Sequence, residues 1–218
     1  MSRNLSSTQH QERQQHERIS GYYVFQSKIY DMTRWSFLFG RLGILKHIPF
    51  GREDHFRLAE IGCGTGFNLN HLAKNFPKAE FIGADVSKEM MDLTRKKLAN
   101  YPNKQSLHQQ AYEANSTILS PAPDIILFSY ALTMINPQWK ELLHKAYEDL
   151  AVGGKIMVVD FHDSSLALFK NHMSNHHVRM DSHILPELEN LFSTVYQSVR
   201  RAYGGIWKYF LFVGEKSG

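Results

Sequence analysis

A single cysteine, Cys63, stands in 218 residues, so an internal disulfide is excluded and a reducing compartment is the expected setting. No run of about 18 or more apolar residues occurs, the length that a membrane-crossing helix requires. The amino-terminal stretch has no apolar core of the export-signal type, so a cytoplasmic location is expected. Charge of one sign is also missing. The 25 Lys and Arg against 21 Asp and Glu leave a net +4 and an isoelectric point near 9.1, which permits an anionic partner without demanding one. Internal repeats are absent. The 43% apolar content suffices for one core, so the length reads as one domain of about 200 residues plus a tail.

What is present centres on Leu58-Ala59-Glu60-Ile61-Gly62-Cys63-Gly64-Thr65-Gly66. Arg57–Ile61 reads as a buried strand and Phe67–Asn75 as the helix after it, with three alternate glycines between. Such a turn needs backbone angles that side chains resist, and glycine lets a ligand lie against the main chain. The free N–H groups of the next helix point into the same gap, which makes a nucleotide-type site. The dinucleotide fingerprint G-x-G-x-x-G is not met, because Phe67 holds its last glycine position. The E-x-G-x-G-x-G order instead resembles the first motif of class I S-adenosylmethionine-dependent methyltransferases. That resemblance implies that Gly62, Cys63, Gly64 and Gly66 contact the cofactor, with Glu60 orienting its ammonium group. Cys63 itself reads as a small turn residue rather than a nucleophile.

Ala79–Ala84 reads as a second strand ending in Asp85, nineteen residues past Gly66. An acid about 20 positions beyond the glycines accepts ribose hydroxyls in nucleotide-binding α/β folds. The competing reading of Asp85 is a helix cap before Ser87-Lys88-Glu89-Met90. Asp85-Val86-Ser87 with Met90 also resembles the second motif of the same methyltransferases, where an apolar residue covers the adenine. In that family the loop holding Gln110 and Ala111 lies beside the adenine ring, the competing reading being a solvated loop, and Ser129 belongs to the cofactor-facing loop.

Composition divides the chain into a polar tail (1–18), an aromatic and basic segment (19–50) and the main domain (51–218). The 19–50 segment reads as two helices packing on the sheet, as a lid over the cofactor, or as a surface for an anionic membrane. The last reading follows from the interleaving of Lys28, Arg34, Arg41 and Lys46 with aromatics. On that last reading the chain would meet the inner membrane face peripherally.

Asp124–Phe128 is an apolar run suited to a buried parallel strand, followed by Ser129-Tyr130-Ala131-Leu132-Thr133-Met134-Ile135. Methylases of nucleobase amino groups carry Asn/Asp-Pro-Pro-aromatic at this point, so a nucleic-acid acceptor is disfavoured. Asn136-Pro137-Gln138-Trp139 reads as an ordinary helix start, with Asn136 as cap. Ile156–Val159 is the fifth strand and ends in Asp160-Phe161-His162-Asp163. His172 and His176 have the spacing of a metal pair but no accompanying metalloprotein signature, and no metal is expected. Val195–Tyr203, Gly204-Gly205 and Ile206–Val213 read as a closing β-hairpin. The fold class expected is α/β: a Rossmann-like, seven-stranded, mostly parallel sheet with helices on both faces, an antiparallel C-terminal hairpin and an N-terminal helical lid.

Tyr30-Asp31-Met32-Thr33-Arg34, Phe39-Gly40-Arg41, Ser129–Ile135, Val158–Phe161, His177-Val178-Arg179 and Tyr203-Gly204-Gly205 together resemble bacterial betaine-lipid N-methyltransferases, from about Tyr22 to Phe212. The resemblance implies a lipid-linked amine acceptor of the diacylglyceryl-homoserine type, methylated successively to a betaine. An acceptor amine must lose a proton to attack, and Asp160 and His162 are the candidate bases, the competing reading being that both only hold the loop. An acceptor that becomes a fixed cation favours aromatic walls, with Tyr22, Tyr30, Trp35, Tyr130 and Tyr203 as candidates. Tyr30 and Tyr130 are grouped with Asp160 and His162 as catalytic. Arg34 or Arg179 is expected to pair with a substrate carboxylate. The alternatives are a soluble amine or carboxylate acceptor, and a non-catalytic cofactor-binding protein.

Overall fold

The computed structural model describes residues 37–175 and 178–218. Residues Phe39–Gly218 form one compact unit. It opens with a single helical turn, α1 (Arg41–Leu45), whose Ile44 and Leu45 are buried. Alternation follows: β1 (Arg57–Ile61), α2 (Phe67–Asn75), β2 (Glu80–Ala84), α3 (Lys88–Leu98) and β3 (Gln105–His108). Then come β4 (Ile125–Ser129), α4 (Trp139–Asp149), β5 (Lys155–Asp163), α5 (Ala167–Asn175), α6 (Ile184–Leu191), β6 (Ser193–Ala202) and β7 (Trp207–Glu215).

The seven strands lie in the order β3-β2-β1-β4-β5-β7-β6. β1 to β5 pair in parallel, while β7 runs antiparallel to both β5 and β6. The expected fold class is therefore the observed one, as far as the sheet, its helices and its closing hairpin are concerned. Of the expected lid, 19–50, residues 19–36 lie outside the described residues.

Burial explains the order. All five residues of β4 are buried, as a strand covered on both faces requires. Ile126, Phe128, Ile156 and Val158 meet Leu142, Leu143 and Leu188 from α4 and α6 in one apolar cluster. After β3 the chain returns to the other side of β1, so the strand order reverses between β1 and β4. That reversal opens a crevice beyond the strands' carboxyl ends.

Two local readings are corrected. β5 runs on to Asp163 because antiparallel β7 pairs along it, Phe161 facing Tyr209 and Asp163 facing Lys208. Asn136 is not the cap of α4: that position belongs to Gln138, and the Asn136 amide instead donates to the Thr133 carbonyl at 2.8 Å. Among the described residues no helix is long and apolar enough to cross a membrane.

Candidate active site

Gly62, Gly64 and Gly66 all adopt positive φ, at 70°, 54° and 69°. Their L-amino-acid replacements would be strained, which is the physical reason for alternate glycines here. The turn is fastened on two sides. Gly62 N–H and Cys63 N–H both donate to the Ala84 carbonyl at 2.8 and 3.1 Å, tying it to the end of β2. Thr94, in the middle of α3, donates its hydroxyl to the Gly64 carbonyl at 2.8 Å, and a Cβ on Gly66 would lie 2.8 Å from that same side chain. A Cβ on Gly64 would meet nothing within 4 Å, so the space above the turn is open. Thr94 was not singled out from the sequence, where its one signal is a lone hydroxyl residue inside an otherwise charged and apolar helix.

Asp85 joins the two motifs. One carboxylate oxygen accepts Gly64 N–H at 2.8 Å and the other accepts Ser87 N–H at 2.9 Å. The cap of α3 is Ser87, whose hydroxyl accepts Met90 N–H at 3.2 Å, so Asp85 is not the helix cap.

Glu60 is 1% exposed at the end of β1. Asn68 Nδ2 donates to its Oε1 at 2.6 Å, while Oε2 is buried with no protein partner. Burial pushes its pKa up to about 7, against the opposing influence of Asn68 and of Arg41. The Arg41 guanidinium stands 4.2 Å over the Phe67 ring, at the first turn of α2. An unpaired buried carboxyl oxygen beside a glycine turn and a helix start is a fit for an ammonium group, and the zwitterionic end of S-adenosylmethionine presents one. Ser129 Oγ, buried at the end of β4, also lacks a partner. Val86 is 68% exposed and Met90 half-buried beside the turn's acidic clamp, while Gln110 and Ala111 are exposed. Cys63 is buried with Sγ 3.7 Å from Met91 Sδ, and burial pushes its thiol pKa upward, so it fills space and does not act as a nucleophile.

Beyond β4 the backbone turns sharply at Tyr130, a non-glycine residue at φ 57°. Tyr130 is 2% exposed; its hydroxyl donates to the Phe39 carbonyl at 2.7 Å, and its ring meets Phe161 edge-on at 4.7 Å. Burial, then the nearby Asp160, hold its pKa well above the usual phenol value. Next to it a 3₁₀ turn, Leu132–Met134, brings Thr133 against Asp160. Asp160 accepts the Thr133 hydroxyl at 2.5 Å, Phe161 N–H at 2.8 Å and Thr133 N–H at 3.2 Å. Both its oxygens are engaged and fully buried, so Asp160 positions the turn, and the expectation that it takes a substrate proton is corrected. Burial raises its pKa to about 6 against those hydrogen bonds.

His162 differs. It is half-buried, Nδ1 is buried without a partner, and the ring stands edge-on to Phe210 at 6.0 Å. Burial lowers its pKa, so the neutral, proton-accepting form prevails near neutral pH. Arg179 is exposed, with Nε 2.7 Å from Asp181. Tyr203, half-exposed at φ 46°, packs its ring 5.3 Å from Phe39 and 4.9 Å from Trp207. Tyr22, Tyr30, Arg34, Trp35 and His176 lie outside the described residues. Among the described residues no cluster of three His, Cys, Asp or Glu is arranged to hold a metal.

A pocket of ≈ 520 Å³ lies on the α5 side of the 3₁₀ turn, lined by Met134, Asn136, Lys170, Asn171, Ser174, Val178, Arg179, Met180 and Asp181. Lys170 pairs with Asp163 at 2.6 Å on its edge. Another cavity of ≈ 410 Å³, lined by Arg57, Glu80, Asn103 and Lys104, sits at the amino ends of β1 and β2, away from the crevice.

The family model described as a methyltransferase domain matches residues 59–156. Trans-aconitate 2-methyltransferase of Rhodopseudomonas palustris is 31% identical over 103 residues, 47% of this chain and 37% of that protein. Malonyl-[acyl-carrier protein] O-methyltransferase 1 of Ilyobacter polytropus is 27% identical over 111 residues, 51% of this chain and 40% of that protein. The chain thus spans about two fifths of the length of these relatives. Among solved structures, the N-methyltransferase NodS from Bradyrhizobium japonicum with S-adenosyl-L-homocysteine superposes with TM-score 0.65 at 14% identity, covering 82% of this chain and 86% of that one. Geranyl diphosphate C-methyltransferase from Streptomyces coelicolor gives 0.66 at 11% identity, covering 81% and 74%. Those two likenesses speak for the fold alone.

Sheet order, glycine turn and acidic clamp accord with the methyltransferase domain matched over residues 59–156, and the cofactor is S-adenosylmethionine. The matched residues, 59–156, cover the cofactor half; the pocket residues from Lys170 onward lie outside them.

Proposed function

We propose that this protein methylates the amine of an acceptor that also bears a carboxylate, as the head group of diacylglyceryl-homoserine does, in successive transfers that end in a betaine. One observation carries the reading: the ≈ 520 Å³ pocket beside the Thr133 turn is lined by Lys170 and Arg179 together with Met134, Val178 and Met180. A guanidinium has five donors, of which Asp181 takes Nε, and a carboxylate is its natural planar partner.

When bound, the cofactor supplies a methyl group already activated on a sulfonium. The protein's own share is position and proton handling. Asp160 and Thr133 fix the turn beside the acceptor. His162, neutral and half-buried at the end of β5, receives the proton that the amine gives up. Tyr203 offers an aromatic face to the growing positive charge.

The alternative acceptor is the carboxylate itself. It is favoured by the relatives, whose names specify trans-aconitate and malonyl-[acyl-carrier protein] O-methylation. Mass spectrometry of products separates the two, because a methyl ester is lost in dilute alkali and an N-methyl group is not. Purified protein with S-adenosylmethionine and diacylglyceryl-homoserine in mixed micelles is expected to give products whose methyl groups stay on the glyceryl-homoserine that remains after alkali removes the acyl chains. Alkali-labile products from trans-aconitate or a malonyl thioester, with none from the homoserine lipid, would overturn the proposal in favour of the second reading. Arg179→Ala is expected to raise KM about tenfold for a carboxylate-bearing acceptor and to leave KM for its carboxamide analogue unchanged.

A further inference from the structure

The start of α5 and the tip of the β6–β7 hairpin expose apolar side chains side by side. Leu168 is 86% exposed, and Leu166, Ile206 and Tyr203 are each about half-exposed or somewhat less. The two segments are fixed together: Ser164 Oγ donates to the Ile206 carbonyl at 2.5 Å, and Phe169 stacks on Trp207 with centroids 5.2 Å apart and ring planes 7° from parallel. Isolated exposed leucines need no explanation, but a rigid group drawn from two distant segments does.

The charge on the hairpin itself has one sign. From Ser193 to Gly214 the sequence contains Arg200, Arg201 and Lys208 and no acid. Arg201 and Lys208 stand directly opposite each other across β6 and β7, an arrangement of like charges that costs stability unless an anion faces it. Asp163 opposes Lys208 across β5 and β7 and is paired with Lys170. Apolar side chains beside a surplus of cations match the interfacial layer of an anionic bilayer, where leucine and isoleucine enter the acyl boundary and arginine and lysine meet phosphate. The same helix carries Lys170, Asn171 and Ser174 into the wall of the acceptor pocket. Docking through its first turn therefore sets the pocket mouth close to a head group.

We propose that the Leu166–Leu168 turn and the Tyr203–Ile206 tip form a docking surface for anionic lipid bilayers. The proposal rests on the lipid-acceptor reading above for its purpose, and its test is separable from that reading.

Flotation of the full chain with phosphatidylcholine vesicles, and with vesicles containing phosphatidylglycerol, measures docking without any acceptor. Association is expected only with the anionic vesicles and is expected to weaken as salt is raised. Leu168→Ser/Ile206→Ser is expected to weaken it about tenfold, and Arg201→Gln/Lys208→Gln to flatten its salt dependence. Both variants change exposed or partly exposed side chains and are expected to retain cofactor affinity and the turnover of a water-soluble glyceryl-homoserine. Wild-type chain that ignores anionic vesicles, or variants that bind as wild type does, would overturn the docking surface. So would light scattering that finds a dimer dissociated by Leu168→Ser/Ile206→Ser, since the surface would then belong to a second copy. Failure to methylate soluble glyceryl-homoserine, with docking intact, would instead strike the acceptor reading.

Discussion

Thr133 donates its hydroxyl to Asp160 over 2.5 Å, locking the turn after β4 to β5 across 27 positions of sequence. The bond has thermodynamic consequences because the pair is fully buried. Asp160 has a folded-state pKa of about 6 against an ordinary 3.8, so the folded state holds the extra proton between those values. Its contribution to stability is therefore complete below about pH 4 and is lost as pH rises through about 6. Thr133→Val removes a bond to the ionised form and raises that pKa further. The expected cost is about 1–3 kcal/mol at pH 7.5 and less at pH 5. For a domain of this size each kcal/mol lowers Tm by roughly 2–4 °C, which calorimetry at the two pH values resolves. Equal losses at both would mean that the hydroxyl matters only for packing.

Glu60 predicts a pH-dependent affinity for cofactor. Its pKa stands near 7 because burial disfavours the charge, and an ammonium group beside Oε2 would favour that charge. Affinity for S-adenosyl-L-homocysteine is expected to rise between about pH 6 and 8 and to become flat in Glu60→Gln. Isothermal titration reads both. For 5′-methylthioadenosine, which has no amino-acid portion, wild type and variant should match at every pH. A rise that persists unchanged in Glu60→Gln would assign it to another group.

Tyr130 was expected among the catalytic residues, and its hydroxyl is committed to the Phe39 carbonyl. Tyr130→Phe is expected to cost about 1 kcal/mol of stability and to leave cofactor affinity intact. If kcat collapsed with Tm unchanged, the hydroxyl would belong to the chemistry instead.

His162 predicts the acid side of the rate profile. Its burial lowers the pKa below the ordinary 6.5, and only the neutral ring accepts a proton. The ratio of wild-type to His162→Gln rates is therefore expected to climb with pH, with a midpoint below 6.5, and to level off near neutrality. A ratio that is constant with pH would leave the ring a packing role against Phe210.

How much of this was legible in the sequence depends on the range of the interaction. Strand β1, the glycine turn and helix α2 were readable residue for residue, because a buried apolar run, positive-φ glycines and helical spacing are local properties. Asp85 was found by its distance from the glycines, although its hydrogen bond to Gly64 N–H was not. Asn136 misled, since a cap-like residue before proline looks the same whether or not the helix begins there. Thr94, Asn68 and Thr133 were passed over because each acts on a residue elsewhere in the chain: Gly64, Glu60 and Asp160.

By itself the sequence determined the class of the domain, its cofactor and the succession of strands and helices, since each is written in patterns that span a few turns or one loop. Only the tertiary structure decided which acids remain available. Asp160 and Glu60 look alike as carboxylates late in their strands, yet one has both oxygens engaged by Thr133 and Phe161 and the other keeps an oxygen unmet. The extra length of β5, the Tyr130–Phe39 clasp across 91 positions and the apolar group shared by α5 and the hairpin tip were likewise settled by packing. Desolvation and hydrogen bonding depend on neighbours in space, and the folded sheet is what brings those neighbours together.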